Sequence, residues 1–221
     1  MKGYRISILR HGRTSANEKS VYIGKTDLPL SDSGRKELEE KRKKYEYPNV
    51  QKVYSSPLCR AYQSAEILFP NREIALVDSL SEMDFGIFEG LSVDQCVELD
   101  TYKKWLKGGL DNPPPNGESV REMVIRCGTA LNTVIMDMMR EEVTHAGVIT
   151  HSGIIMNMMS CFGLPKMKPL NFACEVGEGY EIMVTATLWQ NGQTFEILGK
   201  IPNTLEADED EMYAGESYEE D

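Results

Sequence analysis

Tyr4-Arg5-Ile6-Ser7-Ile8-Leu9-Arg10-His11-Gly12-Arg13-Thr14 is the stretch that decides the fold: a β-branched and apolar run stops at a guanidinium and an imidazole, then meets a glycine. The run predicts a strand over Tyr4 to Leu9. Arg10 and His11 then stand at its carboxyl end, where open α/β sheets hold their ligands. Arginine offers a planar fork of donors that matches phosphate oxygens, and imidazole is a nucleophile near neutral pH. A lone histidine in such a place is more often a packed side chain than a reacting one, so the reading needs support elsewhere in the chain.

Three further segments supply it. Ser55-Ser56-Pro57-Leu58-Cys59-Arg60-Ala61 follows the strand-like Val50 to Tyr54 and opens a helix over Leu58 to Phe69, with Arg60 in a first turn whose N–H groups favour anions. Leu80-Ser81-Glu82-Met83-Asp84-Phe85-Gly86 offers a carboxylic acid in an aromatic, glycine-rich loop. Gly147-Val148-Ile149-Thr150-His151-Ser152-Gly153 is a second apolar strand that ends in a histidine where a helix begins.

These four segments, in this order, resemble the histidine phosphatase superfamily, the phosphoglycerate mutase-like proteins, over roughly residues 4 to 200. Gly24-Lys25-Thr26-Asp27-Leu28-Pro29-Leu30-Ser31 and Pro115-Asn116-Gly117-Glu118-Ser119 are similar to two further family segments. Arg13 departs from the glutamate many members carry, which places an extra positive charge near the expected site mouth. Ser152 stands where many have glycine or alanine. The resemblance implies catalytic roles for His11, Glu82 and His151, and substrate contacts from Arg10, Asn17, Gly24, Arg60 and Ser152. It points to the phosphatase branch, whose short members include α-ribazole phosphatase, with a phosphoglycerate mutase-type isomerase as the alternative and a non-catalytic phosphate-binding protein behind it.

From the chemistry of the residues, neutral His11 attacks phosphorus to form a phosphohistidine, and Arg10 and Arg60 depress its pKa. Arg10, Arg60 and His151 cradle the non-bridging oxygens, a contact that a cationic His151 would strengthen, and Asn17 and the backbone near Ser152 add neutral donors. Glu82 protonates the leaving oxygen, its pKa raised by the incoming dianion. Arginine supplies the charge neutralisation, so no cofactor and no metal are expected.

Composition agrees with an ordinary α/β domain: 221 residues, 41% hydrophobic and a mean hydropathy of -0.39. No apolar run approaches a membrane span, and the first ten residues lack a secretory pattern, so a cytoplasmic location without membrane association is expected. Five widely spaced cysteines, without C-x-x-C or H-E-x-x-H, read as free thiols. The net charge of -11 is concentrated at one end. Residues 206–221 hold nine acids and no base, and the remaining 26 acids against 24 bases leave a body of -2. Such a body suits a small phosphorylated substrate and excludes a nucleic-acid binder. The acidic tail is expected to be disordered. Oligomeric state is not legible.

Strand-like and helix-like segments alternate through the body. They predict one domain over residues 1–205, a three-layer sandwich with a mostly parallel central sheet, helices on both faces and an antiparallel edge. Ser31 caps a polar helix to Lys44, and Glu118 to Arg140 is a long amphipathic helix. Ala173 to Val176, Tyr180 to Leu188 and Thr194 to Leu198 read as strands, with Gln190-Asn191-Gly192-Gln193 as a turn. Residues of about 88–117 predict a helical cap of two short helices and a proline turn. Phe88, Tyr102 and Trp105 there either line an apolar pocket or pack as core. The cap's bases are Lys103, Lys104 and Lys107, which lack the bidentate fork expected of a mutase's carboxylate clamp.

Overall fold

A computed structural model describes residues 2–204. The acidic tail lies outside the described residues. In chain order the elements are β1 (Gly3–Arg10), α1 (Asp32–Lys44), β2 (Tyr45–Glu46), β3 (Lys52–Ser55), α2 (Cys59–Leu68), β4 (Ile74–Leu76), α3 (Val93–Val97), α4 (Asp100–Lys107), α5 (Val120–Arg140) and β5 (His145–Thr150). They continue with α6 (Ser152–Phe162), β6 (Gly163–Leu164), β7 (Gly179–Thr185), α7 (Ala186–Gly192), β8 (Phe195–Ile201) and β9 (Asn203–Thr204).

Seven strands form one sheet in the order β4-β3-β5-β1-β7-β8-β6. β1, β3, β4 and β5 run parallel, as a βα repeat requires. The antiparallel pairings fall on the carboxyl-terminal side of the sheet, where β7 runs against both β1 and β8. The period-two alternation of β1 assigns its side chains. Ile6 and Ile8 turn toward α5 and α6, and Leu9 toward α1 and α2, all three with no exposed surface. Each such burial stabilises the fold by roughly 1.5–3 kcal/mol, which fixes the strand that must present Arg10 and His11. The mostly parallel, two-sided α/β architecture is therefore the expected one.

Two carboxyl-terminal expectations fail. Gln190 to Gln193 is no hairpin turn: Thr185 accepts from Leu188 N at 3.3 Å and caps α7, whose Trp189 packs near Phe162. Cap chemistry and one buried indole override the strand-like alternation. Ala173 to Val176 is not a strand either, because its carbonyls are used elsewhere. Cys174 O accepts from Arg10 Nη1 at 2.8 Å, and Val176 O accepts from Lys41 Nζ at 2.9 Å.

Between β4 and α5, α3 and α4 close over a small core of their own. Phe88, Tyr102 and Trp105 pack against one another edge-on or tilted, with ring centroids 5.2–5.6 Å apart. Phe88 is fully buried, and Tyr102 donates to or accepts from the Tyr22 hydroxyl at 2.7 Å. These aromatics are core, not pocket walls.

Candidate active site

Parallel pairing builds the site. β1 and β5 are in register with Arg10 opposite Thr150, so His11 and His151 leave the sheet side by side, their rings 4.9 Å apart. His11 N donates to Thr150 O at 3.0 Å and locks that register. β3 ends at Ser55, and α2 presents Arg60 in its first turn. Glu82 arrives from beyond β4, after a 3-10 turn at Asp78–Leu80. Its Oε2 accepts from Gly153 N at the start of α6 at 3.2 Å, and its Oε1 accepts from Met83 N at 2.9 Å. A Cβ on Gly153 would lie 2.7 Å from Glu82 Oε1, so this carboxyl needs a glycine beneath it. Sequence separation is no guide to this assembly: the four side chains span more than 140 positions.

Burial sets the electrostatics. His11, Arg60, Glu82 and His151 are each at most 9% exposed, and charge in such surroundings is penalised. Burial first, then the Arg60 and Arg10 charges, lowers His11 to a pKa of about 3. The depressed pKa has the expected direction, but desolvation is its largest cause. The tautomer of His11 follows from its partner. Gly12 O, 2.6 Å from Nδ1, can only accept, so the ring proton is on Nδ1 and the Nε2 lone pair is free. The His151 pKa is likewise pushed well below the usual value, by burial and then by the His11 and Arg60 charges, so the neutral ring is favoured over the cationic form that would strengthen an anion contact. Glu82 is raised by burial alone, before any phosphate arrives.

The cations are braced by backbone. Arg60 donates from Nη1 to Thr26 O at 2.9 Å and from Nη2 to Gly24 O at 2.7 Å. Arg10 Nε and His151 Nδ1 are buried without a hydrogen-bond partner in the protein. Buried donors and acceptors without partners are rare, and two of them beside an unprotonated imidazole and two guanidiniums make this cluster the candidate anion site.

Other predicted residues sit at its edge. Asn17 accepts through Oδ1 from Thr14 N and Oγ1, both at 3.0 Å, and shapes the turn after His11. Gly24 supplies a carbonyl, and a Cβ there would lie 1.8 Å from Met83 O. Ser152 is the first residue of α6. Arg13 does not carry free charge to the site mouth: Glu37 at 2.9 Å and Glu175 at 3.6 Å neutralise it. The N–H of Cys59 at the start of α2 is already taken, by Asp27 Oδ1 at 2.7 Å.

Sequence reasoning missed several supporting groups. Ser56 Oγ lies 2.8 Å from His151 Nε2 and orients that ring. Arg126 pairs in fork fashion with Glu118 at 2.8–2.9 Å and donates to Ser79 O and Ser81 O, fixing the turn that carries Glu82. Only the helical spacing of Arg126 after the Gly117-Glu118-Ser119 segment hinted at this. Glu82 also lines a cleft of about 510 Å³ whose basic members are both paired, Lys25 with Asp84 at 3.1 Å and Arg126 with Glu118.

Fold and geometry together define an α/β protein with two histidines and two arginines gathered at the carboxyl ends of its parallel strands. The chain belongs to the histidine phosphatase superfamily (branch 1), whose family model matches residues 6–196. It is 29% identical over 160 residues to phosphoglycerate mutase-like protein 4 of Arabidopsis thaliana, which covers 69% of this chain and 68% of that protein. Among solved structures it superposes on the alpha-ribazole phosphatase of Shigella flexneri with a TM-score of 0.71 at 19% identity, covering 87% of this chain and 94% of the other. A phosphoglycerate mutase from Bacillus anthracis gives a TM-score of 0.70 at 16% identity, covering 89% and 92%. These structural likenesses concern the fold. Among the described residues no helix is long and apolar enough to cross a membrane.

Proposed function

We propose that the protein is a phosphomonoester hydrolase that works through a phosphohistidine on His11 and needs no metal. The observation that carries this reading is the free Nε2 lone pair of a buried, neutral His11 beside Arg10, Arg60 and the unpartnered Nδ1 of His151.

The ester's phosphorus takes the Nε2 lone pair in line, and the bond to the leaving oxygen breaks. Glu82, protonated further up the pH scale than an ordinary glutamate, gives its proton to that oxygen. Imidazole becomes cationic on phosphorylation, and the Nδ1–H bond to Gly12 O strengthens as it does. Water then attacks phosphorus, Glu82 takes its proton, the P–N bond breaks, and neutral His11 returns. Arg10 and Arg60 meet the charge on the non-bridging oxygens throughout, the kind of contact worth roughly 3–4 kcal/mol per well-aimed donor.

Hydrolysis is favoured over mutase chemistry by the surroundings of Glu82. A mutase must hold the anionic body of its substrate while the phosphoryl group moves, yet Lys25 and Arg126 already have carboxylate partners. Lys103, Lys104 and Lys107 are exposed on α4, outside the cleft. The test is phosphate release, with chelator present, from a panel headed by α-ribazole phosphate and containing O-phosphoserine, glycerol phosphates, p-nitrophenyl phosphate and 3-phosphoglycerate. Release from at least one ester with chelator present is expected. Appearance of 2-phosphoglycerate faster than free phosphate would replace this reading with the mutase, and dependence on magnesium would overturn the arginine-based mechanism.

A further inference from the structure

Glu89 takes no part in the mechanism above, yet its carboxylate gathers more donors than any other acid near the site. Oε1 accepts from Gly24 N and Lys25 N, both at 2.9 Å, and from Phe85 N at 3.3 Å. Oε2 accepts from Thr26 N at 3.1 Å and Thr26 Oγ1 at 2.5 Å. Three successive amides of one loop therefore converge on a single side chain. In a trans peptide the carbonyl points opposite to the next residue's N–H, so holding Lys25 N turns the Gly24 carbonyl away from Glu89. Gly24 O and, at the other end of the clasped segment, Thr26 O are the acceptors that hold the two Nη atoms of Arg60.

We propose that Glu89 is a positioning residue for phosphoryl transfer: by clasping the amides of residues 24–26 it aims their carbonyls, and through them the Arg60 guanidinium, at the phosphate. The assignment rests on the reading of Arg60 as a phosphate ligand. Two of the five guanidinium N–H groups are spent on the loop, which leaves the others in one fixed plane for the anion. Without the clasp, the amides of residues 24–26 lose the acceptor that orients their peptide planes, and the Arg60 guanidinium loses the fixed aim of the carbonyls that hold it. Asp27 ties the same loop to the start of α2 through Cys59 N, so the loop stays attached when Glu89 is changed. Loss of aim is separable from loss of fold for that reason.

The experiment measures orthovanadate binding, a five-coordinate stand-in for the transferring phosphoryl group, alongside p-nitrophenyl phosphate hydrolysis. The proteins are the full chain, Glu89→Gln, Arg60→Ala and the double variant, with Thr185→Ala, the remote cap of α7, as a destabilised control. Glu89→Gln is expected to weaken vanadate tenfold or more and to lower kcat by a similar factor. In the Arg60→Ala background it should change vanadate binding less than twofold, because the group it aims is gone. Thr185→Ala should bind vanadate like the parent. Glu89→Gln within twofold of the parent, or an equal loss with and without Arg60, overturns the assignment. So does a parent protein that does not bind vanadate. A parent that binds vanadate but hydrolyses no ester overturns the hydrolase reading instead, and the binding cycle still decides the role of Glu89. If Glu89→Gln cannot be purified folded, Thr26→Val removes only the hydroxyl donor; a threefold loss of vanadate binding is expected, and unchanged binding overturns the proposal.

Discussion

A histidine becomes a nucleophile only when one nitrogen is unprotonated and the other is held, and His11 meets both conditions through burial and a single carbonyl. His11→Ala should abolish turnover, while His11→Asn should still bind phosphate. A denaturing alkaline quench should trap a phosphoramidate in the parent, stable to base and labile to acid, and none in either variant; full activity in His11→Ala would sink the assignment. Glu82 makes a different kind of claim. Its help matters most when the departing oxygen is basic, so Glu82→Gln should slow an alkyl phosphate far more than p-nitrophenyl phosphate. Burial raises this carboxyl, and its acid form is the useful one, so the alkyl ester rate should fall as pH rises through that pKa. Glu82→Gln should flatten this limb. Equal losses on both esters would reduce Glu82 to a structural role and direct attention to Asp84.

At the scale of elements, the start of α6 serves two functions at once. Its backbone anchors Glu82 through Gly153 N, and its amino-terminal residue follows His151 directly. Gly153→Ala should gain up to about 1 kcal/mol of helix propensity. The added methyl meets Glu82 Oε1 at 2.7 Å, the mobile end of that side chain, and pushes the carboxyl away. The expected result is a melting temperature at or slightly above the parent's with an alkyl-selective loss of rate like that of Glu82→Gln. A parent-like ratio of alkyl to aryl rates would show that the carboxyl does not depend on this contact. In the sequence Gly153 is only one residue of a strand-to-helix junction; the need for a glycine there arises from the loop beyond β4 that packs Glu82 over it.

Across the whole molecule, the site stores an electrostatic cost. His11 and His151 are neutral in the fold, with pKa values depressed below the 6.5 of an exposed imidazole. Below pH 6.5 the unfolded chain takes up protons that the folded chain refuses, so stability is present above that pH and is lost as pH falls toward about 3. Melting temperature should decline over that window, and His11→Asn should shallow the decline; a parent and variant with parallel profiles would contradict the buried neutral imidazole. Phosphate near neutral pH acts in the opposite direction. At about 100 times its Kd it should add ~2.7 kcal/mol, a rise in melting temperature of roughly 5–10 °C for a domain of this size.

What the sequence determined by itself was local and periodic. The alternation of β1, the capping serine of α1, the amphipathic run of α5 and the strand-to-histidine junctions at His11 and His151 each lie within a few residues, and short-range physics suffices to read them. The four-segment order also disclosed the family. The strand expected over Tyr180 to Leu188 stops at Thr185, because Thr185 capping and the burial of Trp189 turn Ala186 to Gly192, with part of the expected Gln190 to Gln193 turn, into a helix. Only the tertiary structure decided that Phe88, Tyr102 and Trp105 fill a core instead of lining a pocket, that Arg13 is neutralised, and that Glu89 reaches back more than sixty positions to the loop that braces Arg60. Charge partners and desolvation depend on which chain segments meet in space, and a one-dimensional pattern records residue types without recording those meetings.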